Sequence, residues 1–218
     1  SFSPQEVKIT NSILNTTNLV PSQQVTNNTS NIDSGSISID TGSLALNGAS
    51  INTNTVTRGD AGNITINATS GGVDIDQSSI SSQVLSRENL LPTDINNPKP
   101  EEFRNGGNIN ITAGSFKLSN NSQINAFVNS GNSNLDAQDR PFANAGNINI
   151  NVGSGNFEIN AAPNGRGITG IFSTLGNGGE DGFTNATGKG GDITITSGSM
   201  LINGTNTEVT PNAGIAAK

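Results

Sequence analysis

Acid–base or ligand chemistry in this chain would fall to a small set of side chains. The 218 residues include no cysteine, histidine, tryptophan or tyrosine, so proton transfer would rest on carboxylates, lysine and arginine. Asp74 and Asp76 sit two apart and share one face if the segment is a strand. Glycoside hydrolysis could use such a pair only if the two carboxyls flanked a cleft. Three other clusters stand out: Lys99, Glu101, Glu102 and Arg104; Asp136, Asp139 and Arg140; and Glu180 with Asp181 inside GNGGEDGF. Carboxylates beside glycine can hold Ca²⁺, which takes roughly six to eight oxygens, but the spacing fits neither an EF-hand loop nor the GGxGxD nonapeptide. The aromatic platforms usual in sugar clefts would have to come from Phe alone. These residue types point away from an enzyme and imply no cofactor and no metal, with a carbohydrate-active enzyme (polysaccharide lyase, glycosidase or depolymerase) as the alternative reading. They leave the three clusters as candidate interaction loops.

The elements that would position those residues are written as a repeat. GGNINITAGSFKL at 106–118 returns at 190–202 as GGDITITSGSMLI, and five such phrases open at Gly35, Gly62, Gly107, Gly146 and Gly191, with spacings of 27, 45, 39 and 45. A repeat in this range with variable insertions predicts a solenoid. In each unit a first strand carries two isoleucines a two-residue step apart, from Ile37/Ile39 to Ile193/Ile195, with Ser, Thr or Asn between them. One face is therefore core and the other wet. The inward places of a second strand are Leu44/Leu46, Val73/Ile75, Phe116/Leu118, Phe157/Ile159 and Met200/Ile202. The turn before it varies by two residues, which preserves the facing. A third strand centres on Ile51, Ile80, Ile124, Ile171 and Ile215.

Three strands per turn, each stacking on its counterpart, predict an all-β fold: a right-handed single-stranded parallel β-helix of about five coils over residues 35–218, the hand following from the chirality of parallel crossovers. Residues 1–34 read as a degenerate leading coil or loop, with EVKIT and SILN as its strands. Corner glycines Gly42, Gly114 and Gly198 are expected at positive φ. Asn63, Asn108, Asn147 and Asp192, which open the first strand, are expected to form a ladder of stacked side chains, as in Asn ladders. Asp74, Lys117 and Glu158 share one outward column, a minus-plus-minus stack that locks register. In that place Asp74 is structural rather than catalytic. The outward column Ser38, Thr65, Asn110, Asn149 and Thr194 is too mixed for an ice-binding threonine ladder.

Insertions at 54–61, 83–105, 129–145 and 173–190 all follow a third strand, hold 15 of the 27 charged residues, and would display their charge from one corner. The net charge of −7 comes without a Lys/Arg cluster, which disfavours a nucleic-acid partner. No 18-residue apolar run predicts a membrane span. The chain opens on Ser1, which suggests a processed protein or an internal piece. It stops at GIAAK, just after a third strand, where an open backbone edge would be covered by more chain or by another copy.

GGNINITAGSFKLSNNSQINAF, GGDITITSGSMLING and GNITINATSGGVDIDQSSISS resemble the passenger repeats of filamentous-haemagglutinin-like exoproteins of the two-partner secretion route, particularly cyanobacterial ones. The resemblance spans about 35–218. It implies a right-handed β-helix outside a Gram-negative cell, serving as an adhesin or structural rod whose partners are further repeats, other copies, or cell-surface and matrix polymers. That family's secretion domain carries NPNL- and NPNGI-like motifs. APNGRGITG at 162–170 is only a partial echo of them, so the chain resembles passenger repeats without the addressing segment.

Overall fold

The computed structural model describes residues 5–17, 33–55, 59–85, 104–129, 143–163, 167–174, 188–204 and 213–217. Among these the regular elements are nineteen β-strands, with no helix. They form a nine-stranded and a six-stranded sheet with two two-stranded sheets beside them. All the pairings are parallel.

The register follows the sequence repeat. Ile37, Ile64, Ile109, Ile148 and Ile193 pair in succession, as do Leu44, Val73, Phe116, Phe157 and Met200. Both rows lie in the nine-stranded sheet, and Ile51, Ile80, Ile124, Ile171 and Ile215 make the row of the six-stranded sheet. The chain therefore returns to each sheet once per repeat, one strand further along. EVKIT and SILN extend the same scheme, since Val7 pairs with Leu44 and Leu14 with Ile51. They supply the second and third strands of a leading unit, while residues 18–32 lie outside the described segments.

The two-residue difference in turn length is absorbed where strands Ile64–Asp76 and Ile109–Ser119 run side by side. Ala113 pairs with Ala68 but Ser115 pairs with Gly72, a bulge that restores the facing before Val73 meets Phe116. Inside, Ile64, Ile66, Ile75, Ile80, Ile109 and Leu118 are fully buried. The rings of Phe116 and Phe157 stack 5.1 Å apart at 10°. Burial of a side chain this large is worth about 1.5–3 kcal/mol. Each is covered above and below by its own row, so neighbouring units share that stabilisation.

Gly42, Gly114 and Gly198 do not adopt positive φ. At Gly114 and Gly198 the need is for space: a Cβ would lie 3.0 Å from the Gly71 carbonyl oxygen at Gly114, and 2.2 Å from that of Ser154 at Gly198. The left-handed residues sit mainly at another bend, between second and third strands, where Asn11, Gly48, Gln77, Asn120, Asn121 and Gly167 have φ of 48°, 60°, 46°, 53°, 66° and 80°.

Candidate interaction surface

The surface is assembled by two columns of polar residues that flank the start of the first strand. In the first column, Ser36 Oγ accepts a hydrogen bond from the Asn63 backbone N–H at 3.0 Å. Asn63 Oδ1 accepts from Asn108 N at 2.8 Å, Asn108 Oδ1 from Asn147 N at 2.9 Å, and Asn147 Oδ1 from Asp192 N at 2.8 Å. A ladder was expected of these residues, but the side-chain amides do not bond to one another. Each serves the main chain of the next unit. The reason is the obligatory nature of a backbone donor: one residue later the sheet takes over, with Ile64 N donating to Asn108 O, so without the side-chain oxygen the preceding N–H would be left over.

The second column, Asp33, Asp60, Asn105, Asn144 and Lys189, lies three residues upstream with the same spacing. Asp33 Oδ1 accepts from Asp60 N at 2.8 Å, Asp60 Oδ1 from Asn105 N at 2.7 Å, and Asn144 Oδ1 from Lys189 N at 3.1 Å. Asn144 Nδ2 donates to Asn105 Oδ1 at 3.0 Å. Sequence reasoning missed this column, although its period is legible once the phrase is aligned. Between the two columns runs the glycine row. A Cβ on Gly62, Gly107, Gly146 or Gly191 would fall 2.0 to 2.1 Å from the carbonyl oxygen of the glycine one unit earlier. The phrase G-N-I-x-I therefore encodes a close approach, a backbone cap and two core residues.

The insertions leave from strand stubs stacked on one another. Val84–Leu85 pairs with Val128–Asn129 where they depart, and Arg104–Asn105 pairs with Ala143–Asn144 where they return. Val84, Val128 and Ala143 are fully buried in a small second core, against which Ala145 packs. The insertions are thus shorter than their expected bounds of 83–105 and 129–145, because both ends are drawn into pairing. Arg104, expected on a displayed loop, is 3% exposed within its stub. Lys99, Glu101, Glu102, Asp136, Asp139, Arg140, Glu180 and Asp181 lie outside the described residues.

Asp74, Lys117 and Glu158 take the expected adjacent places. Among the described residues no ion pair within 4.0 Å joins them, the one such pair being Lys8 with Glu6 at 3.2 Å. At about 4.8 Å strand spacing in solvent the column adds only about 0.2–1 kcal/mol per pair. The Asp76 carboxylate ties its own unit to both neighbours: Asn120 Nδ2 donates to it at 2.6 Å and the Ser119 hydroxyl at 3.1 Å from the unit after, and Asn47 Nδ2 at 3.3 Å from the unit before. The described residues contain no cluster of acidic side chains that could hold a metal ion and no helix long and apolar enough to cross a membrane. No family model, curated protein or solved structure matches the chain.

Proposed function

We propose that the chain is a right-handed parallel β-helix serving as a structural or adhesive rod of a secreted or cell-surface exoprotein, displaying its insertions and joining end to end through its coil faces. The observation that carries this reading is the exposure of core-type residues at both ends of the stack. Val7 and Leu14 occupy the rows of buried Leu44 and Ile51, yet are 36% and 39% exposed. Met200 and Ile202 occupy the rows of buried Phe157 and Ile159, yet are 51% and 42% exposed. A repeat that buries its apolar face only against the next repeat leaves such surfaces for another coil to cover. Further repeats, or the leading coil of a second copy, placed against the last coil would continue the second- and third-strand rows, Val7 over Met200 and Leu14 over Ile215, and would pair those open strand edges. Such contacts are heterologous and grow into filaments. The structural reading of the acids is supported by Asp76, whose carboxylate is occupied by three donors from its own scaffold; a carbohydrate-active enzyme would need such a group turned to a cleft.

Sedimentation velocity and negative-stain microscopy of the 218-residue chain test the assembly. Filaments of constant width whose population rises with protein concentration are expected, and Met200→Glu, at an exposed site, should abolish them without lowering the melting temperature. A chain that stays monomeric at every concentration overturns end-to-end joining by this protein.

A further inference from the structure

The amide that follows each second strand has a fixed duty. Asn11, Gly48, Gln77, Asn120 and Ala161 stand one residue past the strand end. Each donates its backbone N–H to a strand-end carbonyl of the next unit, respectively that of Asn47, Asp76, Ser119, Asn160 and Asn203, at 2.9 to 3.4 Å. The next in this row is Gly204, and no described unit follows it. Among the described residues neither Gly204 N–H nor the Asn203 side chain has a hydrogen-bond partner.

That bare end falls on a reactive pair. Asparagine is thermally labile, most of all before glycine, whose amide nitrogen has no side chain beside it to hinder its approach to the asparagine carboxamide. The chain writes Asn-Gly at 47–48, 105–106, 164–165, 177–178 and 203–204, and the second pair of these in the middle of the chain, with 164–165, lies outside the described residues. The other two described pairs are held at both reacting groups. Gly48 N–H donates to Asp76 O at 3.1 Å while Asn47 Nδ2 donates to the Asp76 carboxylate at 3.3 Å. Gly106 N–H donates to Asn144 O at 2.8 Å while Asn105 Nδ2 donates to both Asp60 carboxylate oxygens at 3.2 and 3.3 Å. Asn47 and Gly48 are exposed to solvent just as Asn203 and Gly204 are, so hydrogen bonding, not access, sets the pairs apart.

We propose that Asn203 is a site of spontaneous deamidation, open while the last unit is uncovered, and that the fold holds Asn47 and Asn105 against the same reaction. Gly204 N bonds to Asn203 Cγ as the Cγ–Nδ2 bond breaks and ammonia leaves, carrying away the proton lost by Gly204 N. Water then opens the resulting succinimide. Cleavage at Cγ leaves aspartate, and cleavage at the main-chain carbonyl leaves isoaspartate, so the balance is water in and ammonia out. Either product sets a carboxylate beside exposed Met200 and Ile202, and isoaspartate also adds a carbon to the main chain. An end left uncovered thus ages into a poorer surface to build on. With Val7 over Met200, Thr10 O would take the Gly204 N–H and close the site. That protection rests on the end-to-end reading, whereas the reactivity of the uncovered pair does not.

The test incubates the 218-residue chain and its Met200→Glu variant in mildly alkaline buffer. Peptide mapping by mass spectrometry follows aspartate and isoaspartate at each pair. The variant keeps the last unit uncovered whether or not the parent assembles. In it Asn203 should convert first, with Asn47 and Asn105 about 5- to 150-fold slower, the holding effect of two ordinary hydrogen bonds. In guanidinium, where the fold is gone, the three should convert at like rates. Gly204→Ala, at a position without left-handed φ, should remove the Asn203 signal over the same incubation. If the parent sediments as filaments, its Asn203 should lag behind the variant's. If the parent stays monomeric, equal rates in the two chains sink the end-to-end reading and leave the site standing. Three results overturn the proposal: Asn47 or Asn105 converting as fast as Asn203 in the folded chain, Asn203 converting in guanidinium but not in the fold, or filaments converting as fast as the uncovered variant.

Discussion

Substituting alanine at three glycines separates crowding from conformation. At Gly107 the backbone φ is ordinary, but a Cβ would sit 2.0 Å from the Gly62 carbonyl oxygen and 2.5 Å from the Ser82 hydroxyl. Ordinary contact begins near 3.4 Å, so adjacent units must part by about 1.4 Å at that point. The flanking bonds from Ala61 N to Asn105 O and from Ile64 N to Asn108 O are both 2.9 Å, and such a displacement carries them past hydrogen-bond range. Two stranded donors at about 1–3 kcal/mol each put Gly107→Ala at about 2–6 kcal/mol, a large part of the ~5–15 kcal/mol a domain of ordinary stability has. Gly153 presents the opposite case, with φ 55° and nothing within 4 Å, so alanine there costs only the ~1–2 kcal/mol of a left-handed residue. Gly214 has neither constraint, and alanine should stay within about 0.5 kcal/mol of the parent. Urea unfolding followed by circular dichroism measures all three. If Gly107→Ala were no more destabilising than Gly153→Ala, the account of the glycine row as a close-approach requirement would be wrong.

Asn108→Ala should cost about 0.5–1.5 kcal/mol, the net worth of one hydrogen bond at an exposed Asn147 N–H, while Asn108→Asp keeps the acceptor and most of the stability; hydrogen exchange at Asn147 reads this directly. Replacing residues 131–142 with a short glycine-containing turn should leave β-content and melting nearly unchanged, because closure entropy grows slowly with loop length. Extending that deletion to 129–145 removes Ala143 and Ala145 from the small core and should cost more than about 1 kcal/mol in the same melting assay. Lys117→Ala should cost at most about 1 kcal/mol, and the cost should shrink in added salt, as expected of exposed charges that are neighbours without close contact.

The parts of the fold legible in the sequence were those carried by period. Apolar residues recur at a step of two within strands and the glycine phrase marks each first strand, so the first two rows and their register could be written down before any geometry was known, while the third was placed on its isoleucines although its spacing varies. EVKIT and SILN could be placed as a leading coil because they keep the apolar alternation even where the glycine phrase is missing. What stayed hidden depended on which atom approaches which. Gly114 and Gly198 look like turn glycines in sequence, but only the distance to a neighbouring carbonyl reveals that they are there for closeness. Asn108 reads equally as a stacked amide or a backbone cap, since both need the same residue at the same spacing. Arg104 lies in a charged stretch yet is buried, because the pairing of 104–105 with 143–144 joins segments whose sequences share no apolar pattern.

The direction of the asparagine column gives the structure a sense of time. Asn63 offers its oxygen to Asn108, Asn108 to Asn147 and Asn147 to Asp192, always from the earlier unit to the later. A chain made from its N-terminus therefore exposes each acceptor before the amide that requires it has been synthesised. The opening amide of a new unit finds its partner already in place, and strand pairing can keep step with synthesis.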